Sequence, residues 1–179
     1  MTTLQDPADL RALGATPEEA HARLNTELDR LEAQLRTRQA DWTRAQPGRD
    51  WSPAQDAEHV VLIDGSIARL LALLLSEREL TPTAQVPGVL KDGKRQAPPF
   101  TVPSAEGLAW DSWETRWAEH RAALEGVTGR VRETPGRTMW HPFFGELDAL
   151  DWLRILVGHA RGHRLLLQQS AQNSAQDSA

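Results

Sequence analysis

The sequence predicts an all-α protein, a four-helix bundle with one long crossover between its second and third helices. Three observations lead there. Four segments carry apolar residues at helical spacing, most of them opened by a capping signal. No stretch reads convincingly as a strand. A single proline-rich connection, residues 81–103, separates the second segment from the third. At 179 residues the chain is long enough for one domain with a real core. The domain is expected to span 1–169, with a disordered tail over 170–179.

Residues 1–15 read as a lead-in. Asp6-Pro7-Ala8-Asp9 offers a cap, a proline at the first helical position and an acid in the first turn, and Gly14 is a stop. The first long helix opens at Thr16-Pro17-Glu18-Glu19, where Thr16 and Glu19 have capping-box spacing. Leu24, Leu28, Leu31 and Leu35 form one apolar stripe that Trp42 extends, so this helix is expected to run to about Arg44 before Pro47-Gly48 breaks it. Ser52-Pro53-Ala54-Gln55 opens the second helix with the same device. From His59 to Leu75 that helix is mostly apolar, and His59 shares a face with Ile63, Ser66, Ile67, Leu70 and Leu74. His59 is therefore expected to point inward.

The crossover holds five prolines (Pro82, Pro87, Pro98, Pro99 and Pro103) and both lysines of the chain, Lys91 and Lys94. A connection of that length is either a lid or rim over a site or a plain crossover, and the plain crossover is the first reading. Ser104 is the expected cap of the third helix, with Glu106 in its first turn and Trp113, Trp117, His120 and Leu124 as its stripe. Core packing is the expected role of those tryptophans and of His120. Thr138 to Leu147 is a short aromatic connection expected to cover one end of the bundle. Asp148 caps the fourth helix, buried through Leu150, Leu153, Leu156 and Val157 and continuing to about Gln169. The tail beyond has no apolar residue larger than alanine.

Composition excludes several functions. Without cysteine there is no disulfide, no thiolate metal site and no cysteine nucleophile. A formal charge of −5, with arginines dispersed among acids, gives no basic face for nucleic acid. The longest strongly apolar run, Leu70 to Leu75, is far too short for a bilayer. The first residues lack the basic and apolar blocks of a signal peptide, so a cytoplasmic protein without membrane attachment is expected.

His159 and His163 lie four residues apart on the fourth helix, on one face, close enough for two imidazoles to reach one ion. Bundles build metal sites from side chains projecting inward from facing helices, and His59 on the second helix completes a set of three. Imidazole nitrogens suit zinc first, with nickel or iron as alternatives. Three protein ligands leave a position open for water or substrate, the arrangement of catalytic rather than structural zinc. Ala160 follows His159 where a zinc peptidase helix carries glutamate, so that protease class is disfavoured. Asp56, Glu58, Asp64 and Glu146 are candidates to hold the far nitrogens of the imidazoles. His141 either lines the pocket as a proton shuttle, making it the one catalytic candidate, or makes a local capping hydrogen bond.

Trp51-Ser52-Pro53-Ala54 leading to His59, then Trp140-His141-Pro142-Phe143-Phe144-Gly145-Glu146-Leu147, then His159 and His163, resemble the DinB-like superfamily. The resemblance covers about residues 16 to 168. It implies a four-helix bundle holding a divalent metal through three histidines, here His59, His159 and His163. It also implies possible homodimers and, in some members, transfer of a low-molecular-weight thiol such as bacillithiol or mycothiol. The leading expectation is thus a metal-dependent thiol S-transferase acting on small electrophiles. A metal-dependent hydrolase of the same fold and a non-catalytic bundle that works through an interface are the alternatives.

Overall fold

The computed structural model describes residues 4–81, 83–91 and 94–176. Four helices carry the architecture: α1 (Pro17–Arg36), α2 (Pro53–Leu74), α3 (Trp110–Thr128) and α4 (Ala149–Gln176). Two antiparallel hairpins are added, β1 (Leu90–Lys91) with β2 (Lys94–Arg95), and β3 (Met139–His141) with β4 (Gly145–Leu147). Short 3-10 turns occupy Pro7–Leu13, Gln39–Asp41 and Pro99–Thr101.

The helix starts follow local chemistry. Thr16 accepts a hydrogen bond from the Glu19 amide, and Ser52 with Gln55 forms a reciprocal capping box. The Asp148 carboxylate accepts from the Asp151 amide at the start of α4. Around the bundle the order is α1, α4, α2, α3. Helix α1 packs on α4, α4 on α2 and α2 on α3. The ring closes through polar contacts between α1 and α3, including Arg36 to Glu114, Trp117 to Glu32 and Arg121 to Asp29.

Those pairs run in opposite senses along α1 and α3, so the two are antiparallel. Gly14 and Ala15 meet Arg154, and Glu27 meets Arg164, so α1 and α4 are parallel. Ala54 meets Leu108, and Asp64 meets His120, so α2 and α3 are parallel too. The topology is up-down-down-up. A 22-residue α2 is about 33 Å long, and a parallel α3 forces the chain back over that length. The long crossover is therefore a geometric necessity.

The core is the set of stripes read from the sequence. Leu24, Leu28, Leu31 and Leu35 of α1 are buried, with Trp113, Trp117 and Leu124 of α3 and Leu150, Leu153, Leu156 and Val157 of α4. Trp42, Trp110, Trp113 and Trp117 pack ring to ring, with adjacent centres 5.1–6.3 Å apart. No helix is long and apolar enough to cross a membrane among the described residues.

Four local expectations are corrected. Helix α1 ends at Arg36, not Arg44. The Arg38 side chain turns inward there, donating to the Leu167 carbonyl and Ser170 of α4 and pairing with Asp41 and Gln46. Helix α3 begins at Trp110 because the Ser104 hydroxyl is committed elsewhere, donating to Glu58 and accepting from the Gly107 amide. The aromatic connection is a β-hairpin. Finally, α4 continues through Gln176, so residues 170–176 are helical and only 177–179 of the expected tail lie outside the described residues. Alanine and glutamine are good helix formers, and Ser170 is buried against Arg38.

Two glycines with nearly the same backbone separate steric from conformational cost. Gly107 has φ of 71°, and an added Cβ would lie 2.4 Å from the Ala54 carbonyl carbon, whereas Gly136 has φ of 75° and open space around it. Gly136→Ala is expected to cost about 1–2 kcal/mol for the left-handed conformation alone. Gly107→Ala is expected to cost clearly more, measured by urea unfolding of the two variants side by side.

Candidate metal centre

His59 lies in the second turn of α2 and is 5% exposed. His159 and His163 sit on consecutive turns of α4. Because the two helices run antiparallel in contact, all three rings face one another. One ring nitrogen from each lies within 4.8 Å of the others. The His59 and His159 Nε2 atoms are 3.2 Å apart. Two nitrogens bound at zinc distances in a tetrahedron are about 3.3 Å apart, so this pair already has the required separation.

The far nitrogen of each ring is held or faced by an acceptor. His59 Nδ1 is 2.7 Å from the Thr101 carbonyl. A carbonyl only accepts, so Nδ1 carries the proton and Nε2 presents its lone pair. His163 Nδ1 is 3.0 Å from Asp56 Oδ1, which leaves its Nε2 as the free donor atom. His159 Nδ1 faces Asp64 Oδ1 at 3.6 Å. Both of these atoms are buried, and neither has a hydrogen bond among the described residues.

The acceptors are themselves anchored. Asp64 Oδ2 takes a hydrogen bond from His120 Nε2 at 2.9 Å, and Asp56 Oδ1 takes one from the Arg49 guanidinium at 2.7 Å. Two lines of contact result: Arg49–Asp56–His163 from the loop before α2, and His120–Asp64–His159 from α3. The Trp51 indole walls the cluster. Its ring centre is 4.7 Å from that of His59, and it lies nearly parallel to the His163 ring at 6.5 Å.

The electrostatics suit a cation. Burial, then the neighbouring His159 and His163, push His59 down to about 4 despite the opposing pull of Thr101 and Asp56. Burial likewise holds His163 below the ordinary imidazole range, against the hydrogen bond with Asp56. Burial alone would raise Asp64, but the hydrogen bond from His120 and the adjacent His159 ring outweigh it and keep the carboxyl below its usual value. Three imidazoles with converging ring nitrogens, backed by two buried carboxylates, form a donor set that fits a divalent metal ion.

Of the expected site residues, the structure brings together His59, His159 and His163. From the carboxylate candidates it selects Asp56 and Asp64. Glu58 instead binds Ser104, and Glu146 binds Gln85 and Thr138. His141 lies elsewhere, at the end of β3. Its Nδ1 accepts from the Phe143 amide at 3.1 Å, and its ring packs against Phe143, Phe144 and Trp152. Trp152 is seven residues before His159, which sets it roughly 10 Å away along α4. Sequence reasoning missed Thr101, which acts through its backbone carbonyl, and Arg49, which looks like any solvated arginine. The proline-flanked 98–103 segment was the only available hint of the former.

A scan against family models matches residues 17–167 to the DinB superfamily, so the chain belongs to the DinB superfamily. Among solved structures it is similar to "TT2238, a four-helix bundle protein", at 30% identity and a TM-score of 0.58, over 87% of this chain and 100% of that one. No curated protein matches.

Burial also sets a pH dependence. His59 and His141 both fall from 6.5 to about 4 in the folded state, His141 through burial first and the nearby Arg95 second. Below pH 6.5 the unfolded chain binds these protons and the folded chain does not, so stability is lost as pH falls from 6.5 toward 4. The urea midpoint of metal-free protein is expected to drop across that window. His141→Asn, which keeps an acceptor for the Phe143 amide, is expected to flatten the drop.

Proposed function

We propose that this protein binds one divalent metal ion, zinc in the first place, through His59, His159 and His163, and that it transfers a low-molecular-weight thiol to small electrophilic molecules. The convergence of three imidazoles from α2 and α4, each with its far nitrogen directed at a buried acceptor, carries the proposal.

A divalent ion in such a site supplies Lewis acidity, deprotonating a thiol at neutral pH or lowering the pKa of water toward about 7. The chain supplies the rest. Three neutral ligands leave a position for a second molecule. Asp56 and Asp64 fix the ring orientations and add negative charge behind them. Trp51 excludes water from one side. The same three histidines would serve hydrolysis with water in place of the thiol, so hydrolysis is the alternative reading of this site. A homodimer and a cytoplasmic location fit this reading as proposals of the same kind.

Elemental analysis of protein purified without a histidine tag under metal-replete conditions is expected to give one ion per chain. His59→Ala and His163→Ala are expected to lose it with helicity retained. Absence of bound metal in the unaltered protein overturns the proposal. Asp56→Ala is expected to weaken metal affinity by about 10–100-fold, read by competition with a chromophoric chelator. Turnover of an electrophilic substrate is expected to require added thiol, and thiol-independent turnover would count for the hydrolase.

A further inference from the structure

A second feature lies on the other side of α4. Arg161 stands midway in sequence between His159 and His163. At about 100° per residue it projects some 200° around the helix from each of them. There it lines a cleft of about 250 Å³ with Arg23 and Arg30 of α1, over a floor that includes Leu13 and Val157.

The charge in this cleft is unbalanced. Glu27 is the only acid lining it, and its carboxylate is already shared by Arg30 at 3.2 Å and Arg164 at 2.7 Å. Arg23 donates to the Ala12 carbonyl, which offers no charge. Neither Arg23 nor Arg161 forms an ion pair among the described residues. Three guanidinium groups line the cleft with one carboxylate, which Arg164 from outside the lining also neutralises, in a chain whose formal net charge is −5. A local surplus of this kind in an acidic protein focuses potential on a small anion.

We infer that the cleft between α1 and α4 binds a phosphate dianion, either free or as the monoester of a small molecule. Guanidinium forks from two helices approach from different directions, which suits the tetrahedral oxygens of phosphate better than a planar carboxylate. The volume exceeds what the ion alone needs. Leu13 and Val157 give an ester carbon an apolar surface. The site is independent of the histidine cluster, which occupies the reverse face of α4.

Calorimetric titration with inorganic phosphate and with phenyl phosphate tests this, at constant ionic strength set with chloride. Metal-stripped protein is expected to bind one equivalent saturably, and His163→Ala is expected to bind equally well. Arg161→Ala, at an exposed position, is expected to weaken binding about tenfold with an unchanged circular dichroism spectrum, and Arg30→Ala similarly. Tighter binding of phenyl phosphate identifies a monoester site, and equal binding identifies a site for the free ion. Three results overturn the inference: no saturable binding into the millimolar range, binding indifferent to both arginine substitutions, or binding abolished by His163→Ala, which would place the anion at the histidines.

Discussion

Asp64 has no exposure to water, and three of the four helices meet at it. From α2 it accepts a hydrogen bond from His120 of α3 and faces His159 of α4. A buried carboxylate without such partners costs several kcal/mol, so the packing of α3 and α4 on α2 depends on these imidazoles being where they are. Asp56 repeats the arrangement two turns earlier, between Arg49 and His163. The bundle interior thus holds two carboxylates, one guanidinium and a group of imidazoles, of which burial holds His59 and His163 below the ordinary imidazole range. A cation among the three converging nitrogens would sit beside both carboxylates. The site and the fold share one electrostatic problem.

Much of this was legible in the sequence, for physical reasons. Apolar stripes at helical spacing have few alternative solutions, so the leucines of α1 and the tryptophans of α3 are where their periodicity places them. The histidines were legible because two at a four-residue spacing must share a face, and His59 shared its face with Ile67 and Leu74, both of which are buried. Element ends were less legible. Ser104 has every property of a cap, but a tertiary contact with Glu58 competes successfully for its hydroxyl. Ser170 to Gln176 lacks an apolar period, yet one buried serine and good helix formers suffice to extend α4. Thr101 contributes a carbonyl, which every residue has, so no side-chain pattern could single it out.

The crossover shows how topology reaches the chemistry. Since α3 runs parallel to α2, the chain must return along the bundle, and its return path crosses the start of α2. There the turn at Pro99–Thr101 lays its last carbonyl on His59. The same return path explains the close association with the β3–β4 hairpin. The Gly88 amide donates to the Pro142 carbonyl, and the Trp140 indole donates to the Val86 carbonyl. A segment that composition alone marks as a connector is tied down at both the hairpin and the histidine cluster.

The three histidines also set an order of events in biogenesis. His59 and His159 are 100 positions apart, and two of the three histidines lie on α4. On the ribosome, α1, α2 and the crossover emerge first, and His59 then has no ligand to share. No ion can be captured by the full set until α4 has left the exit tunnel and docked between α1 and α2. Capture of an ion by the full set would therefore follow the docking of α4, and a chain truncated before His163 would be left with an imidazole pair that cannot complete the set.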